Sequence, residues 1–273
     1  MKGSKIKAVL TLLFMGFLGA LHAQAPDSLR FQRAIQVEAT FVTSDHLANT
    51  YLISVNNAIE KYDSLGRQMA AFTNKRLGNA TFLDASNPLK ILVWYPDFQT
   101  VLWLDRTLTE MGRLDFTKID LYSVRCVAMA FDGNIWVFDD AISKAIKLSL
   151  DGLILLESPP LNIYFPRRFS ATRIRDSGQF VSLNDPSSGF CSLDQYANIA
   201  TIYSSFRIAD FETAGEWLFY VDSTALHFQH LGHIQLFQLP LPLKIQQNGL
   251  HTWLGKQSIY WQNGKHLEQY TWQ

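Results

Sequence analysis

The stretch Val124–Glu157, VRCVAMAFDGNIWVFDDAISKAIKLSLDGLILLE, divides into four short apolar runs separated by tight-turn residues. Its second run, Ile135–Phe138, ends in Asp139-Asp140. The third, Ala145–Leu148, leads into the turn Ser149-Leu150-Asp151-Gly152, and Leu153–Glu157 completes the set. Runs rich in Val, Ile, Phe and Trp and bounded by Gly, Asn and Asp read as strands. With every connection this short, successive strands must pair antiparallel. The unit recurs along the chain. The residue just before its third turn is Tyr62, Leu104, Leu148, Leu193 and Phe228, at intervals of 42, 44, 45 and 35. A local hairpin unit repeated at that period predicts a radial array, because the connections of a sandwich usually cross between its two sheets.

The copies share the order of the template. Unit one reads Tyr51–Val55, Asn56-Asn57, Ile59–Tyr62, Asp63-Ser64-Leu65-Gly66 and Gln68–Phe72. Unit two runs from Ile91 to Leu114, unit four from Phe180 to Tyr203 and unit five from Trp217 to Leu239. A sixth starts at Leu243, contains Gly249–Leu254, Ser258–Trp261 and the hairpin turn Asn263-Gly264, and stops after His266–Trp272. It lacks a fourth strand. The run Arg30–Glu38, in contrast, precedes the first unit and has no local partner. One solution removes both anomalies: the N-terminal strand completes the last unit and closes the ring. The expectation is an all-β, six-bladed β-propeller in one domain over residues 30–273. No window sustains an apolar face at helical spacing.

The N-terminus predicts export. Lys2, Lys5 and Lys7 precede the apolar run Ala8–Leu21, whose 14 residues are too few for a spanning helix. Residues 1–23 read as a signal peptide cleaved after Ala23, with residues 24–29 a polar leader. No Cys lies near the cleavage point to carry a lipid anchor, so the expectation is a soluble exported chain, periplasmic, outer-membrane-associated or secreted. Cleavage removes three Lys and no acid, leaving 21 Lys+Arg against 24 Asp+Glu. That balance argues against nucleic acid or an anionic membrane as partner. Cys126 and Cys191 fall on non-equivalent strands of adjacent units and are expected as buried free thiols.

The segment GNIWVFDDAISKAIKLSLDG resembles the six-bladed propeller repeats of the NHL and related exported bacterial families. There, a strand of type xIYVxD is followed by a short loop, a basic residue, an apolar strand and a D-x-x-G turn. The resemblance implies a fold and transfers no activity.

Several residue sets invite a functional reading. Asn56, Asp97, Asp139, Asp185, Asp222 and Asn263, with Asp140 beside them, follow the second strand of each unit and should ring one face. Asn and Asp are also what tight turns select, so the ring reads first as turn chemistry. Three residues earlier stand Ile53, Trp94, Trp136, Ser182, Phe219 and Tyr260, read as core between units. His227, His230 and His233 suggest a metal site, but strand spacing and an intervening turn at Gln229–Gly232 make surface histidines the expectation. Arg167, Arg168, Arg173 and Arg175 form the one basic cluster, read as a solvated edge paired with Asp176 or Asp210, or else as an anion site. Motifs for nucleophilic, zinc or phosphate chemistry are missing. The expectation is a non-enzymatic exported binding or scaffold module that engages a protein in a cell-envelope assembly and needs no cofactor. The alternative is a calcium-dependent lactonase or esterase resembling the gluconolactonase-like propellers. Its oxygen ligands would come from Glu38, Asp84, Asp210, Glu212 and Asn248, but these lack that family's D-P-x-N-G-like contexts. Glycan binding by exposed aromatics on the loop face is a third reading.

Overall fold

Short polar side chains build the turn that marks the repeat. Asp63 accepts backbone N–H groups of Leu65 and Arg67 through one carboxylate oxygen, and Asp105 and Asp194 do the same two and four residues on. Ser149 accepts from Leu153. The fourth turn residue is then left-handed, with φ of 80° at Gly66 and 86° at Gly152, but also 60° at Leu108 and 66° at Ala197. Glycine adopts that conformation without strain, and the side-chain bonds hold it elsewhere.

The computed structural model describes residues 28–232, 236–248 and 251–272. Residues 1–27, read above as a signal peptide and most of its leader, lie outside them. The chain begins with β1 (Leu29–Gln36). Blade 1 follows as β2 (Ala39–Ser44), β3 (Thr50–Ser54), β4 (Ile59–Tyr62) and β5 (Gln68–Phe72). Blade 2 is β6 (Phe82–Asp84), β7 (Ile91–Tyr95), β8 (Thr100–Leu104) and β9 (Glu110–Asp115). Blade 3 is β10 (Val124–Met129), β11 (Ile135–Asp139), β12 (Lys144–Leu148) and β13 (Ile154–Glu157). Blade 4 is β14 (Arg173–Asp176), β15 (Val181–Asp185), β16 (Gly189–Leu193) and β17 (Ile199–Tyr203). Blade 5 is β18 (Phe211–Ala214), β19 (Trp217–Val221), β20 (Ala225–His230) and β21 (Leu236–Pro240). A short helix, α1 (Leu243–Asn248), leads to β22 (Thr252–Leu254), β23 (Ser258–Asn263) and β24 (His266–Trp272).

Each blade is an antiparallel sheet in simple sequence order, and the sixth has the order β1-β24-β23-β22. β1 pairs with β24 from Leu29↔Trp272 to Gln36↔His266, so the N-terminal strand is indeed the missing fourth strand. First strands of successive blades touch (β2 with β6, β10 with β14, β14 with β18, β22 with β2), so they line the axis. The core lies in the seams between blades, where Trp136, Trp261, Tyr51, Tyr260, Phe116 and Phe138 are fully buried.

Three expectations need correction. The helix α1 was not foreseen; its six residues are too few to show a periodic face. In blade 5 the third strand runs on to His230, which pairs with Trp217, so the turn starts later than Gln229 and Phe228 is not the equivalent of Leu193. The six core residues read as equivalent are also out of step. Measured along the second strand, Ile53 and Trp94 sit at the fourth position, Trp136 and Ser182 at the second, and Phe219 and Tyr260 at the third. All six are buried, but the last pair faces the opposite side of its sheet. Counting back from turns of unequal length produced the slip.

Candidate functional site

Strand direction decides what each face carries. With four antiparallel strands per blade, the second-to-third-strand turns emerge on the same face as the links between blades. The other turns emerge on the opposite face. Asn56, Asp97, Asp139, Asp140, Asp185, Asp222 and Asn263 therefore share the link-bearing face, although Asp139, Asp185 and Asn263 close their strands while the others lie beyond the strand end.

Their side chains bond locally. Asp222 accepts from Thr224 and Ala225 N–H and from the Thr224 hydroxyl, and lies 2.7 Å from His227 Nε2. Burial alone would raise this carboxyl, but those donors hold it well below the ordinary range. Asp185 accepts from Ser187 and from Ser170 N–H, Asp139 from Ala141 N–H, and Asp97 from Asn79 N–H. Asp140 accepts from Arg168 at 2.7 Å and from the Ser170 hydroxyl. Asn263 donates to Glu268.

Neighbouring amides do something the ring residues do not. Gln99 donates to Val124 O and accepts from Val124 N–H, at 3.1 and 2.8 Å. Asn57 donates to Gly78 O and accepts from Ala80 N–H, both at 2.8 Å. Gln262 donates to Val37 O and accepts from Ala39 N–H, and Asn184 donates to Ile208 O. Each side chain reaches the leading backbone of the next blade and imitates one rung of a ladder. A primary amide carries both a donor and an acceptor, which a carboxylate does not. The sequence reading fixed on the ring residues and missed these amides, whose signal was an Asn or Gln within two residues of the ring position in blades 1, 2, 4 and 6.

The central channel holds most of the remaining candidates. Arg173 and Arg175 stand on β14 and project towards Asp210 and Glu212 of blade 5. Arg173 Nε is 2.9 Å from Asp210 Oδ1, and Arg175 Nε is 3.0 Å from Glu212 Oε2, this second pair being 7% and 4% exposed. Lys256 Nζ reaches the other Glu212 oxygen at 2.9 Å. Across the axis, the Phe41 and Phe82 rings meet edge to face at 5.2 Å, and both guanidiniums lie over the Phe82 ring, at 5.3 and 4.7 Å. Arg173 pairs with Asp210 as expected, but Arg175 is buried in the channel, not on a solvated edge. Arg167 and Arg168 are exposed on the link between blades 3 and 4.

Electrostatics close this network on itself. Burial by itself would raise the Glu212 carboxyl, but the Lys256 and Arg175 cations override it and hold it at about 2. Burial would lower Arg175, and Glu212, Asp210 and Asp84 outweigh it and raise it. An acid held at about 2 is a poor proton donor or acceptor near neutral pH. A hard cation needs free convergent oxygens, whereas here ammonium and guanidinium groups hold Asp210 and Glu212. Glu38 is exposed ahead of β2, and Asn248 ends α1. Among the described residues no group of three or more His, Cys, Asp or Glu is arranged to hold a metal ion.

His227 and His230 are not surface residues. His227 stacks on Tyr220 at 4.7 Å, and His230 lies 3.1 Å from Glu216 and edge-on to Trp217. Both occupy β20, three residues apart, so they face opposite sides of the sheet. His233 lies outside the described residues. Cys126 on β10 and Cys191 on β16 are buried free thiols in one apolar cluster. Burial pushes the Cys126 thiol up to about 12 and Cys191 higher still.

Six four-stranded blades around a channel make the chain a six-bladed β-propeller. No protein-family model matches it, and no curated protein matches it in sequence. Solved structures with the same architecture include a virginiamycin B lyase from Staphylococcus aureus, with a TM-score of 0.58 and 8% identity over 89% of this chain and 99% of that one. The Pan2 WD40 domain of Neurospora crassa gives 0.59 and 10% identity over 91% and 96%. A protein of unknown function from Bacteroides caccae gives 0.52 and 12% over 77% and 84%. At these identities the likeness is one of fold. No helix among the described residues is long and apolar enough to cross a membrane.

Proposed function

We propose that the protein is an exported, non-catalytic binding module whose link-bearing face engages another protein in a cell-envelope assembly. The observation that carries this reading is a run of exposed apolar side chains on that face in blades 2 to 4. Phe98, Tyr122, Ile142, Ile163 and Tyr164 all project from second-to-third-strand turns or blade links. Isolated exposed apolar residues are ordinary, but several on one face beside a polar rim suit an interaction surface. Arg167 and Arg168 supply that rim, so the matching partner surface is apolar with acidic residues around it. The channel supports the same reading from the other side, since its charged groups neutralise one another. Export rests on the basic and apolar leader of residues 2–21.

The test is affinity capture from envelope extracts with the mature chain from Gln24. A stoichiometric partner should be recovered by the wild type and lost with Tyr122→Asp or Ile163→Asp, both exposed positions whose change leaves the fold intact. Recovery of no stoichiometric partner, or equal recovery by the variants, would overturn the reading. A mature N-terminus other than Gln24 in the envelope fraction would remove the export component alone.

A further inference from the structure

The two most exposed large apolar side chains among the described residues are Phe131, at 81%, and Tyr196, at 74%. Both lie on the face opposite the blade links, and both line one cleft of about 360 Å³ between blades 3 and 4. Phe131 belongs to the first turn of blade 3 and Tyr196 to the third turn of blade 4. Phe180 adds a third ring to the wall and Trp136 underlies the cleft.

The aromatic wall is held in place. The Phe131 backbone N–H donates to Asp176 Oδ2 at 3.0 Å, and the Trp136 indole N–H donates to the same oxygen at 3.0 Å. The Phe131 ring lies over Gly178, where an added Cβ would come within 3.0 Å of it. Gly178 has a φ of 87°, so the close approach and the turn both call for glycine. A large exposed ring set against backbone in this way is positioned before any ligand arrives, which reduces the ordering cost of binding.

The polar groups are those of a site for a neutral molecule. Lys147 and Asp132 pair at 2.8 Å. Asp176 receives the two donors above on one oxygen and Gly178 N–H on the other. No cation in the cleft is left unpaired to attract an anion, and three N–H donors already occupy the Asp176 carboxylate. What remains are carboxylate lone pairs that accept, and the amides of Gln179 and Gln195. Gln195 spends its N–H on Gly178 O and leaves its oxygen unused. A pyranose ring has the complementary chemistry: an apolar C–H face for the rings and hydroxyls for the acids and amides. An aromatic peptide side chain would set its ring against the Asp132–Lys147 ion pair and leave those polar groups without partners, at a desolvation cost.

We propose that this cleft is a binding site for a neutral saccharide, stacked between Phe131 and Tyr196 and hydrogen-bonded by Gln179, Gln195 and the paired acids. It is separate from the protein-binding face, and neither depends on the other. The probes are neutral hexasaccharides (a β-1,4-glucan, an α-1,4-glucan and a chitin oligomer), titrated calorimetrically against the full mature chain. At least one should bind, and Phe131→Ala or Tyr196→Ala should weaken it roughly tenfold, the scale of one lost stacking contact. Leu65→Ala is the control, since Leu65 is similarly exposed at the equivalent turn position of blade 1 and should leave affinity unchanged. The two aromatic positions are exposed, so their variants fold, and unchanged thermal unfolding checks this. The proposal is overturned if none of the three sugars binds, if binding survives both alanine variants, or if Phe- or Trp-containing peptides compete better than any sugar.

Discussion

Glu212 shows how a residue that reads as a calcium ligand becomes a structural one. Its two oxygens face Arg175 and Lys256 in a site that admits almost no water. Removing one member of a buried ion network leaves the others uncompensated and costs about 3–5 kcal/mol. Glu212→Gln should therefore lower the unfolding free energy by that amount, seen as a lower urea midpoint at unchanged m-value, while replacing the whole network (Arg175→Met, Glu212→Leu and Lys256→Met) should recover most of the loss. The pH dependence has a definite sign. A carboxyl lowered from 4.5 to about 2 on folding contributes its stabilisation in full above its unfolded pKa and loses it as pH falls towards the folded one. The wild-type advantage over Glu212→Gln should shrink as the pH drops from about 5 to about 2, measured by chemical denaturation. The cysteines make a simpler prediction. With both thiols buried and raised, a thiol reagent such as DTNB should react with neither in the native state and with both after unfolding.

At the scale of elements, the interblade amides are testable one at a time. Gln99→Ala removes the pair of bonds to Val124 and should cost about 1–2 kcal/mol, with Gln99→Glu no better because a carboxylate cannot donate. Equal stability of all three proteins by denaturant unfolding would assign the blade contact to packing alone. These amides also show where the sequence was legible and where it was not. The repeat period, the turn acids, the free thiols and the pairing of β1 with β24 could all be read from residues, because each depends on local patterning or on a missing strand. The short first strands β6, β14 and β18 were not assigned, since three or four residues carry too little periodicity. Nor was the destination of Arg175 or of the amides, because both act across a seam between blades. Register errors followed from turn length: in blades 1 and 2 the ring residue (Asn56 or Asp97) lies beyond the strand end, whereas in blades 3 and 4 it is the strand's last residue. The cleft between Phe131 and Tyr196 joins positions 65 residues apart, which no local pattern reveals.

For the molecule as a whole, closure depends on β1. Deleting residues 24–36 should leave β24 as a bare edge and bury less of Leu267 and Tyr260, which now pack with Ile35. The expected outcome is loss of a single cooperative thermal transition together with self-association seen by light scattering. Retention of a sharp monomeric transition would show that five and three-quarter blades suffice. The closing contact joins residues as far apart as Gln32 and Thr271, 239 positions along the chain. Against a unit of 42 residues, a loop of that length adds only about 1.5 kcal/mol of closure entropy, so the seal is thermodynamically cheap. Its consequence lies in time. A chain is synthesised from its N-terminus, and domains fold as they emerge. Here β1 must stay unpaired until β24 has been made. Chains short of β24 carry a sticky N-terminal edge, and the moment of ring closure doubles as a check that all six blades are present.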